Sequence, residues 1–172
     1  NLSSSRALAD ITKKHNQIHF YSAVGEVNVV KKMKECSAVI GGEGNGGVIY
    51  PKSHYGRDAI VGIGLFLSLF VERGLKASQL LDTYPKYYML KEKVNISSEL
   101  NVDKILKKIT KKYINEKVDL VDGVRIDFTQ SWVQLRKSNT EPIIRIYSEA
   151  KTMEKCEELV KEIETLIKKI IN

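Results

Sequence analysis

Arg136-Lys137-Ser138-Asn139-Thr140-Glu141-Pro142 gathers a guanidinium, two hydroxyls and an amide into one short loop. It lies directly ahead of a strand-like apolar run over residues 143–147. A tetrahedral phosphate dianion needs several donors converging on one point. Arg136 can offer two parallel N–H bonds, Ser138 and Thr140 one each, Asn139 its amide, and the loop backbone further N–H groups. Each charge-assisted bond contributes roughly 1.5–3 kcal/mol before the cost of ordering. The competing reading is a polar hairpin loop closed by Pro142. Arg145 projects from one face of the following strand, where it can either reach a phosphate or pair with a local carboxylate; both stand open.

The second chemistry-bearing stretch is Gly41-Gly42-Glu43-Gly44-Asn45-Gly46-Gly47. Its Gly42-x-Gly44-x-x-Gly47 spacing matches the dinucleotide fingerprint as a string. That fingerprint must open a helix whose N-terminus faces a pyrophosphate. Here Val48-Ile49-Tyr50-Pro51 continues as a strand, so the context fails, and no Gly-Lys-Ser/Thr ending suggests a Walker loop. Two readings remain. One is a hairpin connection with glycines at positive φ. The other uses Glu43, the loop's only charged group, as an acceptor for two neighbouring hydroxyls of a sugar ring at the carboxyl edge of a buried strand, with Asn45 adding a donor and an acceptor.

The elements that must position these loops follow from apolar periodicity. Ser3, Ser4 and Ser5 are N-cap candidates for a helix carrying Ala7, Leu8 and Ile11. Residues 18–21 read as a short strand, a second helix places Val29, Val30 and Met33 inward, and residues 38–40 read as a strand buried on both faces. A helix over 58–72 ends at Gly74. This alternation predicts an α/β layer with a mixed, largely parallel sheet, and the pattern changes at Tyr84-Pro85. Beyond it come strand-like runs at 87–94, 124–128, 132–136 and 143–150. A helix capped by Asn101 carries Val102, Ile105 and Ile109, and a last helix carries Cys156, Val160, Ile163 and Ile167 at spacings of three and four. The second half is predicted to be α+β, a four-stranded antiparallel sheet with two helices on one face, in the manner of TATA-binding-protein-like domains. The division falls into residues 1–84 and 85–172.

With 172 residues, 42% apolar and 28% charged, the chain is long enough for a sizeable core and is not a disordered composition. Cys36 and Cys156 make no disulfide framework. With His15, His19 and His54 scattered, no metal site can be read. The net charge of +7 raises a basic nucleic-acid module as an alternative. Its lysines, however, sit on polar helix faces without interleaved aromatics, which reads as solvated surface rather than a nucleic-acid interface. No run is long and apolar enough for a membrane span, and the opening residues lack a signal-peptide pattern, so a cytoplasmic protein is expected. The start reads as cut from something longer.

A glycine-rich loop bearing one Glu, then Gly56-Arg57-Asp58, then Arg-x-Ser-Asn-Thr-Glu-Pro in that order resembles the phosphohexomutase family of four-domain enzymes. Val24-Gly25-Glu26 is similar to the first sugar-facing loop of that family's third domain, and residues 42–47 to its sugar-binding loop. Asp122-Gly123-Val124, Trp132 and the Arg136–Pro142 loop resemble the fourth domain with its phosphate clamp. The resemblance implies an isomerase that interconverts hexose 6-phosphates and 1-phosphates by phosphoserine-mediated transfer through a sugar 1,6-bisphosphate, with Mg²⁺. By it, Arg136, Ser138, Asn139, Thr140 and Arg145 hold the phosphate, while Glu43, Asn45 and Glu26 hold sugar hydroxyls. The family's phosphoserine and metal loops do not occur in this sequence. A C-terminal piece is therefore expected, inactive alone, binding hexose phosphates at about millimolar or weaker and completed by N-terminal domains of the same chain.

Many relatives acting on mannose and glucose phosphates carry Ser and His where Asn45 and Gly47 stand, and His where Glu26 stands. The form found here resembles the phosphoglucosamine mutase-like branch. Glucosamine phosphate is the expected substrate, with a phosphomannomutase or phosphoglucomutase as the alternative.

Overall fold

A computed structural model describes residues 1–97, 99–138 and 140–171, and its contacts divide between two units, residues 1–86 and 87–172. In the first unit, Ser5 Oγ accepts the Ala7 N–H at 3.1 Å where α1 (Ala7–Lys14) begins. Asn16, at φ 55°, turns the chain away after it. α2 (Glu26–Glu35) starts from Gly25, at φ 112°, and buries Val29 and Met33 against Ile49. A tight antiparallel hairpin, β1 (Gly41–Glu43) and β2 (Gly47–Ile49), pairs Gly41 with Ile49 and Glu43 with Gly47. α3 (Ala59–Arg73) is capped by Asp58, whose Oδ1 accepts the Val61 N–H at 2.9 Å, and ends at left-handed Gly74. α4 (Ala77–Asp82) follows.

The first unit departs from the expected sheet. Residues 18–21 and 38–40 form no strand, and the hairpin is the one sheet among its described residues. The reason is physical: a strand exists only beside a partner that takes up its backbone groups. Among the described residues no strand pairs with either segment, and Val39, expected inside, is 77% exposed.

In the second unit, β3 (Tyr88–Asn95), β4 (Lys117–Asp119), β5 (Val124–Asp127), β6 (Trp132–Lys137) and β7 (Ile143–Ala150) form one antiparallel sheet in the order β3-β7-β6-β5-β4. It has five strands where four were expected. The extra one, Lys117-Val118-Asp119, is too short to show a period of two and is held by its register on β5. α5 (Val102–Lys112) begins where Asn101 Oδ1 accepts the Lys104 N–H at 3.1 Å, and α6 (Met153–Ile171) closes the fold. Both lay their stripes on the same sheet face: Ile105, Ile109, Ile163 and Ile167 pack with Val133, Leu135, Ile144 and Ile146. Strand alternation then sends Arg136 and Arg145 to the opposite face.

Candidate functional site

The loop after β6 is held at both ends by backbone bonds. Ser138 N–H donates to Ile143 O at 3.2 Å, and Ile143 N–H donates to Glu141 O at 2.8 Å. Within it the Ser138 and Thr140 hydroxyls stand 3.4 Å apart, so both oxygens can serve a single ligand atom group. Ser138 is buried and Thr140 exposed, which sets one hydroxyl deep and the other at the rim. Asn139 lies outside the described residues.

Arg136 pairs directly with Arg145 across β6 and β7, so the two guanidiniums project from the same face. Each has one long carboxylate contact, Arg136 Nη1 to Asp122 Oδ2 at 3.5 Å and Arg145 Nη2 to Glu141 Oε2 at 3.4 Å. The alternative left open for Arg145 is thus partly realised, since it does meet a local carboxylate. Neither contact uses the bidentate fork, and the Arg136 side chain keeps 28% of its surface exposed. Two like charges held opposite each other with spare N–H donors, beside two hydroxyls, form an arrangement that a dianion would stabilise.

The glycine loop of the first unit is built by close backbone approach. A Cβ on Gly42 would lie 2.3 Å from Gly47 O, and one on Gly47 would lie 2.5 Å from Arg57 Cδ, so the Arg57 stem rests on bare backbone. Glu43 Oε1 accepts from the Gly25 N–H and from Asn1 Nδ2, each at 2.8 Å. The carboxylate therefore ties the Gly25 turn to the glycine loop through one oxygen, Oε1. Asn45 is exposed at the tip.

Glu26, expected as a sugar contact, has both oxygens engaged by one residue. Oε1 accepts the Arg57 N–H at 3.0 Å and Oε2 accepts Arg57 Nε–H at 2.9 Å. The backbone N–H first and the guanidinium second hold its carboxyl below the usual range. The Val61 N–H, and after it His54 at 3.0 Å, do the same for Asp58. Arg57 thus braces the Glu26 turn against the hairpin, a role its sequence position beside Asp58 does not announce.

The match to known proteins follows the same division. The model of phosphoglucomutase/phosphomannomutase alpha/beta/alpha domain III covers residues 1–87, and that of the phosphoglucomutase/phosphomannomutase C-terminal domain covers residues 91–166. The chain belongs to the phosphoglucomutase/phosphomannomutase family. Within it, the chain is 39% identical over 159 residues to a phosphoglucomutase/phosphomannomutase of Thermococcus kodakarensis, covering 91% of this chain and 34% of that protein. It is 36% identical over 168 residues to a phosphoglucosamine/phosphogalactosamine mutase of Sulfurisphaera tokodaii, covering 96% of this chain and 37% of that protein. A solved phosphoglucomutase/phosphomannomutase family protein of Burkholderia thailandensis shares the fold at a TM-score of 0.77 and 24% identity, over 97% of this chain and 36% of that one.

The chain spans about a third of the length of the family members it matches in sequence. The α/β class expected for the first half is that of the domain its residues match, and the second half is α+β as expected. Among the described residues no group of three or more His, Cys, Asp or Glu side chains could hold a metal ion. No helix among them is long and apolar enough to cross a membrane.

Proposed function

We propose that this chain holds the sugar phosphate in a phosphohexomutase, with residues 1–84 acting on the sugar and residues 85–172 on the phosphate. The reaction is the interconversion of hexose or hexosamine 6-phosphate and 1-phosphate by phosphoserine-mediated transfer through a sugar 1,6-bisphosphate. The observation that carries this reading is the Arg136–Arg145 pair beside the Ser138 and Thr140 hydroxyls. A mutase needs such a clamp on the phosphate that is not reacting, because that binding energy orients the other end of the sugar. Arg136 and Arg145 neutralise the dianion, Ser138 and Thr140 donate to its remaining oxygens, and Glu43 Oε2 and Asn45 take ring hydroxyls. Glu26 acts through Arg57 to fix the glycine loop rather than as a free acceptor.

The serine and Mg²⁺ chemistry falls to further domains of the same protein. Their presence is supported by the share of the relatives that this chain spans and by the apolar surface of α3, where Ile60 and Val71 are 82% and 79% exposed. Glucosamine phosphate is the favoured substrate. Glu43 takes its two bonds from neutral donors, an amide and a backbone N–H, so its charge stays available to an ammonium group. The T. kodakarensis relative's name makes a phosphomannomutase or phosphoglucomutase the alternative.

The test is an NMR titration of the chain with glucosamine 6-phosphate, glucose 6-phosphate and mannose 6-phosphate. The expected result is millimolar binding that shifts the amides around Ser138 and Thr140, tightest for the amino sugar, with no turnover. Absence of any shift in that loop at tens of millimolar ligand would end the proposal.

A further inference from the structure

Lys93 on β3 lies directly opposite Arg145, as Arg136 does on β6. Because β7 runs between β3 and β6, Lys93, Arg145 and Arg136 form one row across three adjacent strands, on the face away from α5 and α6. The row sits at the loop end of the sheet. β6 ends at Lys137, immediately before Ser138, and just past β3 the Ile96 N–H donates to Pro142 O at 3.0 Å. Neighbouring strands lie about 4.8 Å apart, which puts the Lys93 and Arg136 backbones about 10 Å from each other. Two long side chains span that gap and can bring their heads over Arg145 between them.

The charges around the row do not balance. Asp122 and Glu141 contact the two arginines at 3.5 and 3.4 Å, and among the described residues Lys93 has no acidic partner. Three cations in register across a sheet repel one another, and the two carboxylates in contact with them leave an excess of one positive charge. A row of this kind is stabilised by an anion carrying more than one charge. We infer that Lys93 is a third cationic arm of the anion site and selects the dianionic form of the bound phosphate. The inference rests on the reading of Arg136 and Arg145 as a phosphate clamp and adds a residue to it. A lysine suits the place, since a compact ammonium on a flexible stem can follow the ligand while the arginine forks fix its orientation.

The experiment is a titration of the 172-residue chain with glucose 6-phosphate at about pH 8, where the monoester is a dianion, and at about pH 5, where it is a monoanion. Lys93→Ala weakens binding about three- to tenfold at the higher pH and less than about twofold at the lower. Lys93→Arg recovers most of the loss, and each variant melts with the parent, since Lys93 is exposed. Lys91→Ala serves as a comparison for loss of a neighbouring cation, one that lies over the Tyr147 ring at 5.3 Å. Lys91 stands one row further along the same face, opposite Tyr147, and its removal has the smaller effect. Equal binding by Lys93→Ala and parent, equal losses at both pH values, equal losses for the two lysines, or failure of arginine to restore affinity would each overturn the assignment. If Arg136→Ala abolishes binding while Lys93→Ala does not alter it, this inference alone fails. If Arg136→Ala also leaves binding unchanged, or the parent binds nothing, the clamp reading fails with it.

Discussion

Arg136→Ala separates an anion clamp from an internal ion pair, because the two roles predict opposite changes in stability and affinity. As a structural residue, Arg136 contributes through its contact with Asp122. That contact is long at 3.5 Å, involves one nitrogen, and joins side chains that are 28% and 18% exposed. An ion pair of this kind contributes about 0–1 kcal/mol. Removing it also relieves the repulsion from Arg145 directly opposite, which offsets about 0.2–1 kcal/mol. The two offset each other, so the stability of the variant in urea is expected within about 1 kcal/mol of the parent. As a clamp residue, Arg136 loses at least one charge-assisted hydrogen bond to phosphate, about 1.5–3 kcal/mol, or roughly ten- to 150-fold in affinity. Urea unfolding of the free chain and a glucose 6-phosphate titration measure both quantities on one preparation. A variant destabilised by more than about 2 kcal/mol that still bound phosphate as the parent does would refute the reasoning, since Arg136 would then be a buried structural charge.

The remaining predictions concern the framework of each unit. Gly42→Ala disrupts the hairpin, because its Cβ meets the Gly47 carbonyl, which is backbone and cannot step aside; Gly47→Ala meets the Arg57 stem, a side chain that can shift at the expense of its bonds to Glu26, and is the milder change. Amide exchange at Gly41 and Ile49 distinguishes the two, and equal protection in both variants would contradict the argument. The Glu26–Arg57 brace depends on pH with a definite sign. The folded carboxyl titrates below the ordinary glutamate value of 4.5, so its contribution is present above that value and is lost as the pH falls through the lower folded pKa. A carbon-detected titration of Glu26 should show a midpoint below that of an unstructured glutamate, and Arg57→Ala should return it upward. In the second unit, Ile109→Ala removes a fully buried side chain from between α5 and the sheet and should cost about 2–5 kcal/mol in urea unfolding.

What could be read from the residues alone tracks where burial depends on local pattern. α5 and α6 were legible because their apolar stripes repeat at three and four and each finds its sheet within the same half of the chain. The strands 124–127, 132–137 and 143–150 were legible from their apolar content and turn residues. Residues 38–40 failed for the complementary reason: an apolar triplet marks a segment that wants covering, yet supplies no partner strand, and here Val39 and Ile40 face outward. The site divides the same way. Ser138, Thr140 and Arg136 belong to one loop, so their types and spacing suffice. The bond from the Gly25 N–H to Glu43, the grip of Arg57 on Glu26, and the row from Lys93 through Arg145 to Arg136 are products of register and loop packing that no spacing encodes. The row shows why that matters for function. Alternation along β3 and β7 can place each cation on a face, but only the pairing of Lys93 with Arg145, and of Arg145 with Arg136, decides that three charges meet with too few acids beside them. A shift of one residue in either pairing would set side chains from opposite faces of the sheet across from one another and disperse the field. The sheet register, more than the loop signature, therefore determines how much charge an anion meets.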